Sequence, residues 1–339
     1  MNVKNNNFDF FRFLFALFVV VSHSYALSGG TEAGGGVHWL TNGQLSFSQI
    51  GLSGFFTISG YFIFQSLQRS TTLSSYYKKR FFRLFPGLFV VLVLSLLLAA
   101  IVYGSTLPFF MNTQVYTYLP FNLSLYGFQS SIQGVFDSNP YHSINGSLWT
   151  IRYEFSLYVG LSVLFCIQNY RKIILFLLCG CFLIFYVLYN FYLPTVAGVN
   201  FMNLEGLHVL NLGTFFIAGS ILAAFELENI QHKKLVLIIS SVVLLSTLYW
   251  NYFDMIKHIV FPFFVLVLGF LPFPGIKDFG KWGDASYGIY IYSFPIQQTL
   301  VWFYKMNAVT LLFFSIPLSI AFGFLSWHLI EKKVLILKK

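Results

Sequence analysis

The stretch Lys78-Lys-Arg-Phe-Phe-Arg-Leu-Phe-Pro-Gly-Leu-Phe-Val-Val-Leu-Val-Leu-Ser-Leu-Leu-Leu-Ala-Ala-Ile-Val-Tyr-Gly104 decides the fold class. Its head carries Lys78, Lys79, Arg80 and Arg83, and from Leu84 onward an apolar run continues to Gly104. A helix needs roughly 17 to 25 apolar residues to cross a bilayer, and a basic cluster at one end marks the cytoplasmic side. The rest of the chain repeats the pattern. Of 339 residues, 57% are hydrophobic and only 9% are charged, with 43 Phe and 21 Tyr. A soluble fold could not cover its surface with so little charge. The expectation is an all-α polytopic membrane protein with ten spans, near 9–28, 49–67, 84–104, 147–167, 173–192, 208–225, 235–251, 256–272, 284–303 and 308–329.

An even number of spans puts both termini on one side, and the Lys/Arg distribution places that side in the cytoplasm. Inner segments then hold sixteen of the twenty basic residues: Lys4, Arg69, the Lys78 to Arg83 cluster, Arg171, Lys172, Lys233, Lys234, Lys277, Lys281, Lys332, Lys333, Lys338 and Lys339. Outer segments hold only Lys257 and Lys305. The net charge of +9 therefore reads as topology, and no nucleic-acid partner is expected, because the basic residues sit in short groups between apolar runs. Asp9 and Arg12 interrupt the first apolar run, which predicts a retained helix rather than a cleaved signal peptide. No repeat or polar linker divides the chain, so residues 1–339 read as one membrane domain. Cys166, Cys179 and Cys181 lie in apolar stretches and supply no disulfide framework.

Two outer loops are long. Residues 29–48 are rich in Gly, and residues 105–146 are rich in Tyr, Asn, Ser and Gln, a chemistry that suits sugars and equally suits an interfacial aromatic belt. Within the spans, ionisable side chains are costly and mark function by default. Arg12 and His23 are eleven residues apart, about three turns and roughly 16 Å of rise, on nearly one face of the first helix. Snorkelling to the inner headgroups also accounts for Arg12. Glu154 enters from the outside at a depth resembling that of His23, so the two could meet across helices as an acid/base pair, with Arg152 either neutralising Glu154 or reaching the outer interface. Ser53, Thr57 and Gly60 follow an i, i+4, i+7 spacing that permits close helix approach. Arg80 and Arg83, at i, i+3 on the inner edge, suit phosphate, and ordinary anchoring explains them as well. Metal and nucleotide signatures are absent, and His328 and Glu331 read as helix-end capping residues.

Taken in order, these segments resemble the acyltransferase 3 family of integral membrane acyltransferases, which O-acetylate bacterial polysaccharides and related glycans. The resemblance rests on Arg12-x10-His23, Gly51 to Tyr61, Arg80-Phe-Phe-Arg83, Asn145-Gly-Ser-Leu-Trp-Thr with Glu154, Ser286-Tyr-Gly-Ile-Tyr-Ile-Tyr and a terminal Glu331-Lys. It implies a bacterial cytoplasmic-membrane enzyme that uses cytoplasmic acetyl-CoA as donor, needs no metal, and acts on a polysaccharide or lipid-linked glycan. It also implies that His23, Glu154 and Arg12 are catalytic, that Arg80, Arg83 and Arg12 hold the donor, and that Ser147, Trp149 and Tyr61, inside the matched segments, bind acceptor. Many relatives have His where this chain has Ser293, so no catalytic histidine is carried over there. The chain ends at Lys339 without the hydrolase-like domain fused to some members, which leaves acetylation to the membrane domain or a partner. His23 then serves as general base on a sugar hydroxyl or as a transient acyl carrier. The rival reading is a multi-pass transporter or flippase that moves a glycolipid without chemistry, against which stands the lack of internal symmetry.

Overall fold

The computed structural model describes residues 6–336, and a helix lies within each of the ten expected spans. In chain order these are α1 (Phe8–Leu27), α2 (Phe47–Gln68), α3 (Leu73–Ile101), a short α4 (Thr113–Leu123), α5 (Trp149–Ser162), α6 (Arg171–Phe191), α7 (Gly206–Ala224), α8 (Lys233–Tyr249), α9 (Phe253–Phe270), α10 (Ser286–Tyr304) and α11 (Ala308–Ser326). A π-helical turn, Trp327–Glu331, and a last short helix, α12 (Lys332–Ile336), extend α11. Strand is confined, among the described residues, to one two-residue pair, Asn200–Phe201 with Leu204–Glu205. Lys4, Lys338 and Lys339, counted with the inner charges, lie outside the described residues.

Eight helical segments are both long and apolar enough to cross a membrane. The other two long helices are α8, with 17 residues, and α10. Helix α10 is less apolar because it runs inside the bundle. Every residue from Ser286 to Pro295 is buried, and so are Gln297 and Gln298. Gln297 Nε2 donates to the Val20 carbonyl at 2.9 Å and to Ser24 Oγ at 2.6 Å, so its amide nitrogen is held by α1, while its Oε1 is buried without a partner.

Local sequence sets the ends. Ser46 caps α2 in a reciprocal capping box with Gln49, and Thr72 caps α3 by accepting from the Ser75 N–H. Helix α3 begins eleven residues before the expected span, which puts Lys78, Lys79, Arg80 and Arg83 on its first turns rather than in a loop. Likewise, the loop 105–146 contains α4, capped by Asn112, and is tied back by a bridge between Tyr103 and Val135.

The closest helix crossing is α2 against α7. A Cβ on Gly60 would lie 1.9 Å from the Phe216 carbonyl oxygen, and one on Gly219 would lie 2.1 Å from that of Thr57. No side chain fits at either point, as the small-residue face of α2 predicts. Ser220 Oγ, donating to the Gly60 carbonyl at 3.0 Å, fastens the crossing. Helix α1 is seated by Gly51 and Gly54 of α2, whose backbone lies against Phe15. The result places α1, α2 and α10 at the centre, with α3 and α5 beside them.

Candidate active site and membrane anchor points

A cavity of about 260 Å³ opens among α1, α2, α3, α5 and α10. Arg12, Ser59, Lys79, Arg80, Arg83, Glu154 and Tyr158 all contribute to its wall. The four ionisable residues that the sequence marked as Arg12, Arg80, Arg83 and Glu154 are therefore brought together around one space.

Their charges are not equivalent. Arg12 Nη1 and Arg83 Nη2 both donate to Asp284 Oδ2 at 2.6 Å, and Arg83 Nη1 lies 3.5 Å from Glu331 Oε2. Asp284 occupies the turn ahead of α10. Burial alone would raise its carboxyl, but the Arg12 and Arg83 guanidinium groups reverse that and hold it below the ordinary carboxylate range. Two cations are thus balanced by two carboxylates. Arg80 is different. Its Nη2 donates to Ser66 Oγ at 3.2 Å, its guanidinium lies over the Tyr76 and Tyr158 rings at 5.7 and 5.8 Å, and its Nε is buried without a hydrogen-bond partner. No carboxylate lies within ion-pair distance of it among the described residues. Arg80, with Lys79 beside it, leaves the net positive charge of the cavity unpaired.

Glu154 accepts from Ser59 Oγ at 3.1 Å and from Tyr158 Oη. The expected pairing with His23 is not made, nor is one with Arg152. Helix α5 turns Glu154 toward the cavity, whereas His23 sits near the outer end of α1 and does not line it. The carboxylate facing His23 is Glu32, whose Oε1 is 3.8 Å from Nε2, an electrostatic contact longer than a hydrogen bond. Glu32 is positioned locally: the Gly29-Gly30 turn folds the loop back so that the Gly30 N–H bonds the Tyr25 carbonyl at 3.0 Å. Its second oxygen accepts from Ser48 Oγ, and the Ser48 N–H donates to Ser22 Oγ at 2.8 Å. The imidazole, 9% exposed, packs edge-on against Phe294 at 5.3 Å and has no hydrogen-bond partner at Nδ1.

The remaining candidates separate. The Ser147 carbonyl accepts from Tyr290 Oη at 2.7 Å, while its own hydroxyl is buried and unpartnered. Trp149 faces α7, its ring 4.4 Å from that of His208. Tyr61 donates to Glu228 and lines a second, larger cavity of about 860 Å³ with Gln65, Arg69, Arg171 and Glu226. Glu331, read as a capping residue, is instead 1% exposed, held by Arg83 and by Ser326 Oγ at 2.9 Å, because the π turn rotates it inward. Asp284, Glu331 and Glu32 are the residues missed. Each is an acidic side chain beside an apolar run, a signal in a chain with only 11 Asp and Glu, though nothing in the sequence names the partner.

A family model described as an acyltransferase domain, that of the acyltransferase 3 family, matches residues 5–328. The chain belongs to the acyltransferase 3 family. This acyltransferase is 30% identical over 360 aligned positions to the "O-acetyl transferase" of Shigella phage Sf6, covering 98% of this chain and 96% of that one. It is also 30% identical over 176 positions to "Nodulation protein 10" of Rhizobium leguminosarum bv. viciae, covering 47% of this chain and 44% of that protein. No solved structure gives a significant match. The protein is a multi-pass membrane acyltransferase.

Proposed function

We propose that the protein transfers an acetyl group from cytoplasmic acetyl-CoA to a hydroxyl of an extracytoplasmic or lipid-linked polysaccharide, in the bacterial cytoplasmic membrane with both termini inside. The observation that carries this reading is the wall of the central cavity, where Arg80 and Lys79 present positive charge with no carboxylate within ion-pair distance among the described residues, at the Lys/Arg-rich end of the bundle. A guanidinium so placed binds a phosphate by charge-assisted hydrogen bonds. The name of the phage relative supports acetyl as the group moved and oxygen as its destination.

In this reading the CoA phosphates sit against Arg80 and Lys79, with Arg12 and Arg83 fixed by Asp284 and Glu331 as the rim. The acyl arm extends along α1 toward His23. The imidazole takes the proton of a sugar hydroxyl as that oxygen attacks the thioester carbonyl. Collapse of the tetrahedral intermediate breaks the carbon–sulfur bond, and the proton passes from His23 to the departing thiolate. Glu32 stabilises the imidazolium formed in between, the part played by the carboxylate of a hydrolase triad. An acyl-His23 relay remains the second route, with the acetyl group parked on the ring between two transfers. Glu154, tied to Ser59 and Tyr158, shapes the passage between the two ends.

Purified protein in proteoliposomes, given acetyl-labelled CoA on one face and glycan on the other, tests the reading. Label should appear on glycan as an alkali-labile ester, and in equal amount with free CoA. Release of CoA without labelled glycan, or no consumption of donor at all, would overturn it.

A further inference from the structure

Helix α5 separates the central cavity from a second space. Thr150, Glu154 and Tyr158 face the cavity, while Leu157, Gly160 and Leu161 line an apolar groove of about 470 Å³ between α5, α6 and α7, completed by Leu178, Phe185 and Leu212. Tyr153 and His208 close its outer end. There the Trp149 and His208 rings lie 4.4 Å apart, and the Tyr153 and His208 rings 5.7 Å apart, forming a compact aromatic platform.

Arg152 stands beside that platform. Its guanidinium is clasped by the Phe128 and Tyr153 rings at 5.2 and 5.3 Å, its Nε is buried without a partner, and among the described residues it makes no side-chain hydrogen bond or ion pair. A guanidinium within a span is expensive unless it meets an anion. At a membrane interface the available anion is phosphate, which a planar guanidinium binds with two donors. An exposed aromatic ring takes the apolar face of a sugar, and an apolar groove beside lipid takes a hydrocarbon chain. Along α5 the ring of Trp149 comes first, Arg152 follows one turn later, and the groove residues Leu157, Gly160 and Leu161 come after.

We propose that this groove holds the chain of a lipid that carries its glycan through a phosphate, with the phosphate on Arg152 and the first sugar on the Trp149–His208 platform. The inference rests on the glycan-acetylation reading and specifies how the acceptor is presented. A bulk phospholipid offers a phosphate but no sugar to the platform. Delivery to the reacting end follows from the packing of the residues just ahead of α5. A Cβ on Gly146 would lie 2.7 Å from the Phe294 ring, and Phe294 itself packs against His23. The segment ahead of α5 thus packs, through Gly146 and Phe294, against the end of the molecule that holds His23.

The test uses full-length protein in phosphatidylcholine nanodiscs and, as probe, a labelled polyprenyl phosphate bearing one sugar. Arg152→Gln should bind the probe roughly tenfold or more weakly, and Arg152→Lys, which keeps the charge but loses the planar fork, should recover part of that loss. Gly160→Phe should weaken binding similarly by filling the groove, since nothing lies within 4 Å of the Cβ position it would extend. Equal binding by wild type and all three variants overturns the proposal, and so does displacement of the probe by an equimolar amount of phosphatidylglycerol. Should the probe bind as expected while acetyl label never reaches glycan, the acetylation reading falls and the lipid site stands.

Discussion

Replacing Glu32 by Gln keeps the shape of the loop and removes the charge facing His23. At 3.8 Å, two unit charges attract by about 1 kcal/mol in bulk water and about 4 kcal/mol at an effective dielectric of 20. The Glu32 side chain is 44% exposed, so solvent screening puts the loss near the lower figure, about 1–2 kcal/mol. Because that attraction exists only when His23 is protonated, it acts in the transition state, and kcat should fall roughly 5- to 30-fold. Donor KM should stay unchanged, since neither residue lines the donor cavity. His23→Ala removes the base itself and should cost about 10² to 10⁴ in kcat, without loss of inserted protein. The double variant should be no slower than His23→Ala, because Glu32 acts through the imidazole. The assay is acetylated glycan formed per unit of membrane-inserted enzyme across the four-member cycle. A double variant slower than His23→Ala by the full Glu32→Gln factor refutes the coupling. Coupling of Glu154→Gln to His23 instead would restore the pairing read from the sequence.

Arg80→Ala should raise donor KM about 10- to 100-fold, the value of one charge-assisted phosphate contact, at normal membrane abundance; an unchanged KM returns Arg80 to simple anchoring. Arg83→Ala should also lower thermal stability in detergent, because Asp284 and Glu331 lose their shared cation, and adding Asp284→Asn should recover part of the loss. Gly219→Leu should abolish folded protein, since the backbone oxygen of Thr57 occupies the space its Cβ needs, whereas Gly180→Leu on α6, with nothing within 4 Å, should be tolerated; membrane abundance of the two variants decides. A reporter active only outside the cytoplasm should stay silent when fused after Lys339, and activity there would reverse the assigned topology.

The bundle was legible because hydrophobic length is a local property. Each apolar run became a helix, and the drop in hydropathy of α10 has its cause in burial among other helices rather than in exposure to water. The basic end of the cavity was legible too, since Arg12, Arg80 and Arg83 stand out against an apolar background. What the sequence withheld were the partners. Arg12 meets Asp284 across 272 positions and Arg83 meets Glu331 across 248, and no spacing rule encodes such distances. Depth alone suggested Glu154 for His23, but depth says nothing of which way a side chain is rotated about its helix. The nearer answer, Glu32, lay nine residues on, hidden because a Gly-rich loop reads as a flexible connector until its folded-back turn is seen. The role of Glu331 was obscured similarly by the π turn, which shifts the face of everything after Trp327.

Helix α1 runs without Gly or Pro from Phe8 to Leu27, so the interval between Arg12 and His23 is set by eleven residues of helical rise, about 16 Å. No loop motion can shorten it. On the proposed mechanism, α1 is a fixed ruler between the rim of the donor cavity and the ring that would take the proton. A donor is measured by the length of the arm between its phosphates and its thioester before the size of its acyl group matters. On that mechanism, a small acyl phosphate, which has no arm, should not serve as donor. A single residue inserted between Arg12 and His23 would turn the imidazole by about 100° and lengthen the interval by about 1.5 Å.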